Sequence, residues 1–347
     1  MSKEQRIKEL EEELKTTKYN KRTQHHVGLL KARIAKLKQS VSISKTSSKP
    51  SFSIKKSGDA TVILIGPPSV GKSTLLNNIT NAQSKTASYE FTTINPIPGL
   101  LNYNNAKIQI IDLPGLIEGA SEGRGRGKEI LSSLRVADLI IILLDPSTLY
   151  LKDKIEKELY EAGIRLNLKP PKIKLIKTQK GGLTIHSNLQ KETITSILKE
   201  FKIFNADITT ENITIEQLID FLEGNKVYIP SIIIINKSDL LKLTTPYLQI
   251  SALNNKNLEE LKKQIFNKLN LIQIFLKQIG KEPDIKEPLT IKQNSTIKDV
   301  CLKLHKDFLT KFKFSRIWGD SVKHPGQKIL KTEHILKDKD ILEIHLK

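Results

Sequence analysis

The residues with the clearest chemical capacity run Gly66-Pro67-Pro68-Ser69-Val70-Gly71-Lys72-Ser73-Thr74. Glycines at both ends of the loop leave room for backbone N–H groups to close around phosphate oxygens, and a lysine and a hydroxyl follow at once. In such a loop Lys72 reaches the β- and γ-phosphates of a nucleotide, and the Ser73 hydroxyl ligates Mg2+. The pattern carries weight only between a strand and a helix. Thr61 to Ile65 supplies an apolar, β-branched run, and Leu75, Leu76 and Ile79 follow the loop at helical spacing. The N-terminus of that helix adds its partial positive charge to the cradle. A glycine-rich turn that binds nothing is the bland alternative, and the flanking strand and helix argue against it.

Three further groups extend the chemistry. Tyr89-Glu90-Phe91-Thr92-Thr93 places threonines in a loop that could close on Mg2+ and the γ-phosphate and let go after hydrolysis. Residues 107–111 read as a strand ending in Asp112-Leu113-Pro114-Gly115, an acid able to hold Mg2+ through water and a glycine whose N–H can meet the γ-phosphate. The glycines from Gly115 to Gly127 predict a segment that orders when a γ-phosphate pins it. Ser231 to Ile235 is another buried-strand run, and it opens into Asn236-Lys237-Ser238-Asp239. The Asp239 carboxylate can accept from both N1–H and the exocyclic amine of guanine, whereas adenine offers no matching pair of donors. A site that leaves such groups unpaired rejects the wrong base strongly. Asn236 would brace the loop, the Lys237 stem would cover the base, and Ser251-Ala252-Leu253 would close the base pocket through backbone contacts. These elements point to GTP or GDP as the ligand and away from ATP.

The elements that must position these groups suggest an α/β architecture. Asp138 to Asp145 is a further near-continuous apolar run, as expected of a strand buried in a parallel sheet. Leu258, Leu261, Ile265 and Leu269 form the stripe of a last helix. The gap between Asp112 and Asn236 exceeds what a minimal sheet needs, and residues 151–226 show their own helix, strand, strand, helix pattern, that of a small α+β insert. Residues 1–57 read as a helical hairpin and a Ser/Lys linker, residues 58–150 with 227–282 as the nucleotide domain, and residues 283–347, after Pro283, as a further small domain. Trp318, the sole tryptophan, reads as core or turn packing in preference to a base-stacking platform.

At 347 residues with 38% hydrophobic and 27% charged residues, the chain has the size and composition of a soluble protein of two or three domains. No apolar run reaches the roughly 18 residues of a membrane span. One cysteine, Cys301, excludes an internal disulfide and a cysteine-based metal site, and the expectation is a cytoplasmic protein. The net charge of +20 is concentrated at the ends: residues 1–58 carry +10 and residues 283–347 carry +5, whereas residues 59–150 sum to −1. Basic ends suit a polyanion such as RNA, with lysine-rich composition alone as the other reading. The N-terminal hairpin is accordingly either a basic arm on RNA or a solvated helical pair packed on its own core.

Together these residues resemble the DRG (developmentally regulated GTP-binding protein) family, a branch of the Obg-like GTPases. The resemblance is carried by H-H-V-G-L-L-K-A-R at 25–33, G-P-P-S-V-G-K-S-T-L-L at 66–76, Y-E-F-T-T at 89–93 and D-L-P-G-L-I-E-G-A at 112–120. It continues in G-I-R-L-N at 163–167, N-A-D-I-T at 205–209, E-G-N-K-V-Y-I-P at 223–230 and S-V-K-H-P-G-Q at 321–327. It implies a P-loop GTPase domain, mostly parallel sheet with helices on both faces, with an N-terminal helical segment, an α+β insert and a C-terminal TGS domain of β-grasp shape. It also implies Thr93 as a Mg2+ ligand beside Ser73 and Asp112, and Lys72, Thr93 and Gly115 as the catalytic groups. Family members associate with ribosomes or RNA and, in eukaryotes, with a dedicated stabilising partner protein; a monomer is expected otherwise. Leu116 stands where a water-orienting glutamine might follow the glycine, which implies slow hydrolysis. Related GTPases hold K+ partly through a phosphate-loop asparagine, a position taken here by Ser69, and Arg124 and Arg126 are candidates for a cation supplied in cis or for RNA contact. A slow switch and a nucleotide-stabilised adaptor with negligible turnover both fit this set.

Overall fold

A computed structural model describes residues 2–18, 20, 23–44, 57–80, 97–113 and 133–347. The chain forms two compact units, Met1–Ser51 with Leu159–Tyr228, and Phe52–Glu158 with Ile229–Lys347.

In chain order the first unit begins with helices α1 (Lys3–Thr16) and α2 (Gln24–Ser44). The second contributes β1 (Ala60–Ile65), α3 (Lys72–Ile79), β2 (Ile97–Tyr103), β3 (Ala106–Asp112), β4 (Leu139–Leu144) and α4 (Lys152–Glu161), whose last turn enters the first unit. There follow β5 (Ile164–Leu166), β6 (Ile173–Lys177), β7 (Leu183–His186), α5 (Lys191–Glu200), β8 (Ala206–Thr210), α6 (Ile215–Glu223) and β9 (Val227–Ile229). The chain then returns through β10 (Ser231–Ile235), β11 (Leu248–Gln249) and α7 (Leu258–Leu269). It ends with β12 (Leu271–Lys277), β13 (Leu289–Lys292), α8 (Ile297–Leu304), α9 (Lys306–Thr310), β14 (Phe312–Trp318), β15 (Gln327–Ile329) and β16 (Ile341–Leu346). Among the described residues no helix is long and apolar enough to cross a membrane.

The main sheet of the second unit has the order β11-β10-β4-β1-β3-β2, parallel throughout except that β2 runs antiparallel to β3. Every residue of β1 and β4 is buried, which explains why both strands read as unbroken apolar runs and not as alternations. On one face Val62, Leu64, Ile141 and Leu143 pack against Leu75 and Leu76 of α3 and Leu261 and Ile265 of α7. Ile63, Ile140, Ile142 and Leu144 are equally buried and alternate onto the other face. The register pairs Leu64 with Asp112, Ile65 with Ile142 and Ile235 with both Leu144 and Gln249. The carboxyl ends of five strands therefore lie along one edge, where ligands of open parallel sheets bind.

The second sheet has the order β13-β12-β16-β14-β15, with only the β12–β16 pair parallel. This is a β-grasp arrangement, with α8 packed by Ile297, Val300 and Cys301 against Ile274, Ile317 and Leu342. It begins at Leu271, before the border expected at residue 283. Asn270, in the left-handed region at φ 48°, turns α7 straight into β12, and Pro283 and Pro288 punctuate the loop after β12 instead of a domain border. Helices α8 and α9 are separated by His305, which is extended at φ −167° and ψ 146°.

In the first unit β6, β8 and β7 form a three-stranded sheet backed by α5 and α6. The hairpin of α1 and α2 has a small core of its own in Leu10, Leu30 and Ile34, and α2 also packs into the insert through Ala32 and Ala35. Gly28 lies against Thr193, where an added Cβ would come within 3.1 Å of its methyl group. The hairpin is thus neither a free arm nor a helical pair closed on itself. Inside this unit Arg165 and Asp220 form a buried bidentate ion pair at 2.6 and 2.7 Å, and the guanidinium stacks on the Tyr160 ring.

Candidate functional site

The loop between β1 and α3 is held at both ends by positions that admit only glycine. At Gly66 a Cβ would lie 2.1 Å from the Leu143 carbonyl oxygen, so β4 closes on the loop to that extent. Gly71 caps α3 in the left-handed region at φ 89°, and a Cβ there would sit 2.5 Å from Nδ2 of Asn236. Pro68 and Ser69 are exposed at the tip, with Ser69 also left-handed at φ 62°, while Pro67 and Val70 are buried. Lys72 folds across the loop, its Nζ donating to the carbonyls of Gly66 at 3.0 Å and Pro67 at 2.8 Å. Ser73 and Thr74 are exposed in the first turn of α3.

The β1–β3 pairing brings Asp112 to this turn. Ser73 Oγ donates to Asp112 Oδ2 at 3.0 Å, while Asp112 Oδ1 is buried with no hydrogen-bond partner. Burial raises the Asp112 carboxyl above its ordinary range, against the opposing pull of Ser73 and of the Lys72 ammonium. Leu113, buried, follows it. Phe91, Thr92, Thr93, Pro114, Gly115, Leu116, Arg124 and Arg126 lie outside the described residues.

Asn236 joins the two halves of the edge. Its Nδ2 donates to the Val70 carbonyl at 2.8 Å and its Oδ1 accepts from the Ala252 N–H at 2.9 Å, so one buried amide ties the glycine loop, the end of β10 and the Ser251-Ala252 turn together. Lys237 is left-handed at φ 58°, and its Nζ pairs with Asp145 Oδ2 at 2.8 Å. Asp239 is exposed, and a hydrogen bond from Ser251 holds its carboxyl below the usual range. It stands ionised at neutral pH with acceptor capacity facing solvent. Ser251 and Ala252 are buried, whereas the Leu253 side chain is 75% exposed.

Two contacts have no counterpart in the motif reading. Asn78 Nδ2 donates to the Ala252 carbonyl at 2.6 Å, a second tie between α3 and the base-side turn. Asp145, at the end of β4, uses Oδ1 to accept from Ser147 and Thr148 and offers Oδ2 to Lys237. Asp145 is visible in the sequence as the acid ending an apolar run. What the sequence hides is that β4 lies beside β10, which alone brings the acid to Lys237.

Burial pushes the Asp145 carboxyl up, but Lys237, Ser147 and Thr148 outweigh it and bring the value down to about 2 from an ordinary 3.8. Because the folded pKa is the lower one, the unfolded chain binds more protons between these values. The associated stability, roughly 2 kcal/mol, is present above about pH 4 and lost as pH falls toward 2. Asp145→Asn should remove that acid-dependent increment and release Lys237, weakening GDP binding about fivefold. Denaturant unfolding of both proteins from pH 6 to pH 2 checks it; parallel stability curves over that range would refute the assignment.

Gly71→Ala should be tolerated by the fold but not by the loop. A left-handed alanine costs about 1–2 kcal/mol and must also displace Asn236. We expect about tenfold weaker GDP binding, read by nucleotide titration, with the melting temperature down by roughly 2–4 °C. Unchanged affinity would show that Gly71 and Asn236 are not coupled.

A parallel sheet whose strand ends carry a phosphate loop on one side and an Asn-Lys-x-Asp turn on the other is the architecture of a P-loop GTPase. Family models match in that sense: a 50S ribosome-binding GTPase over residues 61–179, the C-terminal region of that domain over 180–271, and a TGS domain over 272–346. An uncharacterized GTP-binding protein of Methanocaldococcus jannaschii is 46% identical over 364 aligned residues, covering 99% of this chain and 93% of that protein. Developmentally-regulated GTP-binding protein 1 of Xenopus laevis is 42% identical, covering 98% of each chain. The solved structure of the Schizosaccharomyces pombe YchF GTPase aligns with 84% of this chain and 99% of its own at 16% identity and a TM-score of 0.43. The chain belongs to the developmentally regulated GTP-binding protein family, GTP-binding GTPases of the Obg-like group that end in a TGS domain.

GTPases of this type imply a Mg2+ ion beside the phosphates. The residues present fit one: a buried carboxylate with one oxygen satisfied and the other open, next to an exposed hydroxyl. Among the described residues no group of three or more His, Cys, Asp and Glu side chains could hold a metal, so the remaining donors would come from outside that set, as suits an ion held partly by water and phosphate.

Proposed function

We propose that the protein is a Mg2+-dependent GTP-hydrolysing switch that acts on the ribosome or on RNA. The observation that carries this reading is the double hydrogen bond of Asn236, which links the phosphate loop to the turn bearing Asp239. Nucleotide contacts would come from residues 66–74, from Asn236, Lys237 and Asp239, and from the backbone of residues 251–253, with Phe91 to Thr93 and Asp112 to Gly115 on the γ-phosphate side. Ser73 and Asp112 would hold Mg2+, Asp112 through water, with Thr93 as the further ligand in the GTP state. The bound ion would offset charge on the β- and γ-phosphates.

Lys72 would carry the ammonium that stabilises the transferring phosphoryl group, aided by backbone N–H groups of the loop and of Gly115. With leucine at 116, water orientation lacks a side-chain amide, and turnover should be slow. K+ is a second candidate cation, with Ser69 in place of the asparagine used by related GTPases. The ribosomal reading is supported by the matched family's description and by the basic ends of the chain. A cytoplasmic monomer, with a stabilising partner protein as in eukaryotic relatives, completes the proposal.

Phosphate release in Mg2+, with and without ribosomes and in K+ against Na+, tests the enzyme. Co-sedimentation with ribosomes under GTP analogue, GDP and no nucleotide tests the switch. The reading expects turnover and tighter ribosome binding with the analogue. Equal binding in all three states would refute the coupling, and absent turnover would leave the adaptor reading that Leu116 favours.

A further inference from the structure

Guanine asks more of its site than a carboxylate. Beside the N1–H and the exocyclic amine that Asp239 can accept, the same edge of the ring carries the 6-oxo oxygen, an acceptor that needs a donor next to Asp239. Adenine has an amine at that place, so a fixed donor there rejects it.

The turn after β11 supplies such a donor. Ser251 holds Asp239 by a hydrogen bond, which brings the turn beside the carboxylate. The neighbouring N–H groups are already engaged: Ser251 donates to the Lys256 carbonyl at 3.3 Å, Ala252 to Asn236 Oδ1 at 2.9 Å and Asn254 to Ser251 Oγ at 3.2 Å. The N–H of Leu253 has no acceptor among the described residues. Leu253 is exposed, so a ligand can reach its backbone.

The direction of that N–H is set from α3. Asn78 Nδ2 donates to the Ala252 carbonyl at 2.6 Å, and the Ala252–Leu253 peptide is trans. A planar trans peptide points its C=O and its N–H in opposite directions, so a carbonyl held toward α3 turns the next N–H away from the helix. Ala252 is thereby gripped twice, at its own N–H by Asn236 and at its carbonyl by Asn78. Asn78 is itself exposed near the end of α3, while Leu75, Leu76 and Ile79 beside it are buried and anchor the helix. Without the amide the carbonyl can turn to water, and the N–H turns with it.

We infer that Asn78 is a positioning residue for base recognition: by holding the Ala252 carbonyl it aims the Leu253 N–H at the 6-oxo oxygen of guanine. The inference rests on the nucleotide site proposed above. It adds a determinant of guanine over adenine that lies on the phosphate-loop helix, outside the Asn-Lys-x-Asp turn.

The test pairs a change in the protein with a change in the ligand. The analogue 6-thio-GDP keeps the N1–H and the exocyclic amine but carries sulfur, a weak acceptor, in place of the 6-oxo oxygen. Competition against a fluorescent GDP gives the affinity of both nucleotides for the full-length protein, for Asn78→Leu and for Asn78→Ala. Leucine keeps side-chain bulk, and alanine guards against a defect in the helix. Wild type should prefer GDP over the thio analogue by about tenfold. In both variants GDP affinity should fall about tenfold while that of 6-thio-GDP changes by less than about twofold, so the preference disappears. A preference that persists in both variants would overturn the role of Asn78, including the case in which the two affinities fall together, since a merely loosened turn weakens both alike. A wild-type protein that binds the two nucleotides equally would overturn the 6-oxo contact while sparing GDP binding. Absence of GDP binding by the wild type would overturn the nucleotide site as well.

Discussion

Replacing Asp239 by asparagine should lower the affinity for GTP and GDP by about 100-fold or more and make xanthosine nucleotides the better ligands. Asp239 is exposed and ionised, held by Ser251, so its second oxygen and remaining lone pairs are open to ligand donors. Guanine presents two N–H donors along one edge, and a carboxylate matches both. Asparagine replaces one acceptor by a donor, which opposes the guanine amine and suits the 2-oxo group of xanthine. Because the side chain lies at the surface of the turn, the substitution leaves the core contacts of Asn236 and Ala252 intact. Competition of GDP, XDP and ADP for a fluorescent nucleotide on both proteins checks the expectation. An unchanged order of preference would mean that base recognition resides elsewhere.

Lys72→Ala should reduce phosphate release by about a thousandfold. The ammonium is poised across the loop on the Gly66 and Pro67 carbonyls, 3.0 and 2.8 Å away, rather than buried in the core. Loss of the side chain therefore removes the ammonium proposed to act on the phosphates without opening a cavity, and the fold should persist. A variant with wild-type circular dichroism and no turnover is the expected pair of results. Wild-type turnover in a folded K72A protein would remove Lys72 from the chemistry.

Much of this site was legible in the sequence because each part is local. The glycine loop, the acid after residues 107–111 and the Asn-Lys-x-Asp turn each announce themselves within a few residues of a strand that reads as apolar. The sequence could not say which strands are neighbours. Asp145 reaches Lys237, and Gly71 meets Asn236, only because β4 lies between β1 and β10 and the loop closes over their ends. The packing of α2 on the insert was hidden for a different reason. Its apolar contacts include Gly28, Ala32 and Ala35, which recur at helical spacing but are too small to stand out beside the leucine and isoleucine stripe of the same helix. The second sheet was misjudged at its start because two prolines after β12 looked like a border, while the turn that makes the border is a lone left-handed asparagine, Asn270. Trp318, which the sequence suggests as core or turn packing, lies half-buried with its ring against Gly326 in the turn before β15 and with Lys277 Nζ 5.0 Å from its centroid.

The most direct test of the central claim is calorimetric titration of the purified, folded chain with GDP and with ADP in the presence of Mg2+. The site described here predicts one GDP per chain, affinity that falls when Mg2+ is chelated, and no heat from ADP. Absence of GDP binding, or ADP binding with comparable affinity, would contradict it.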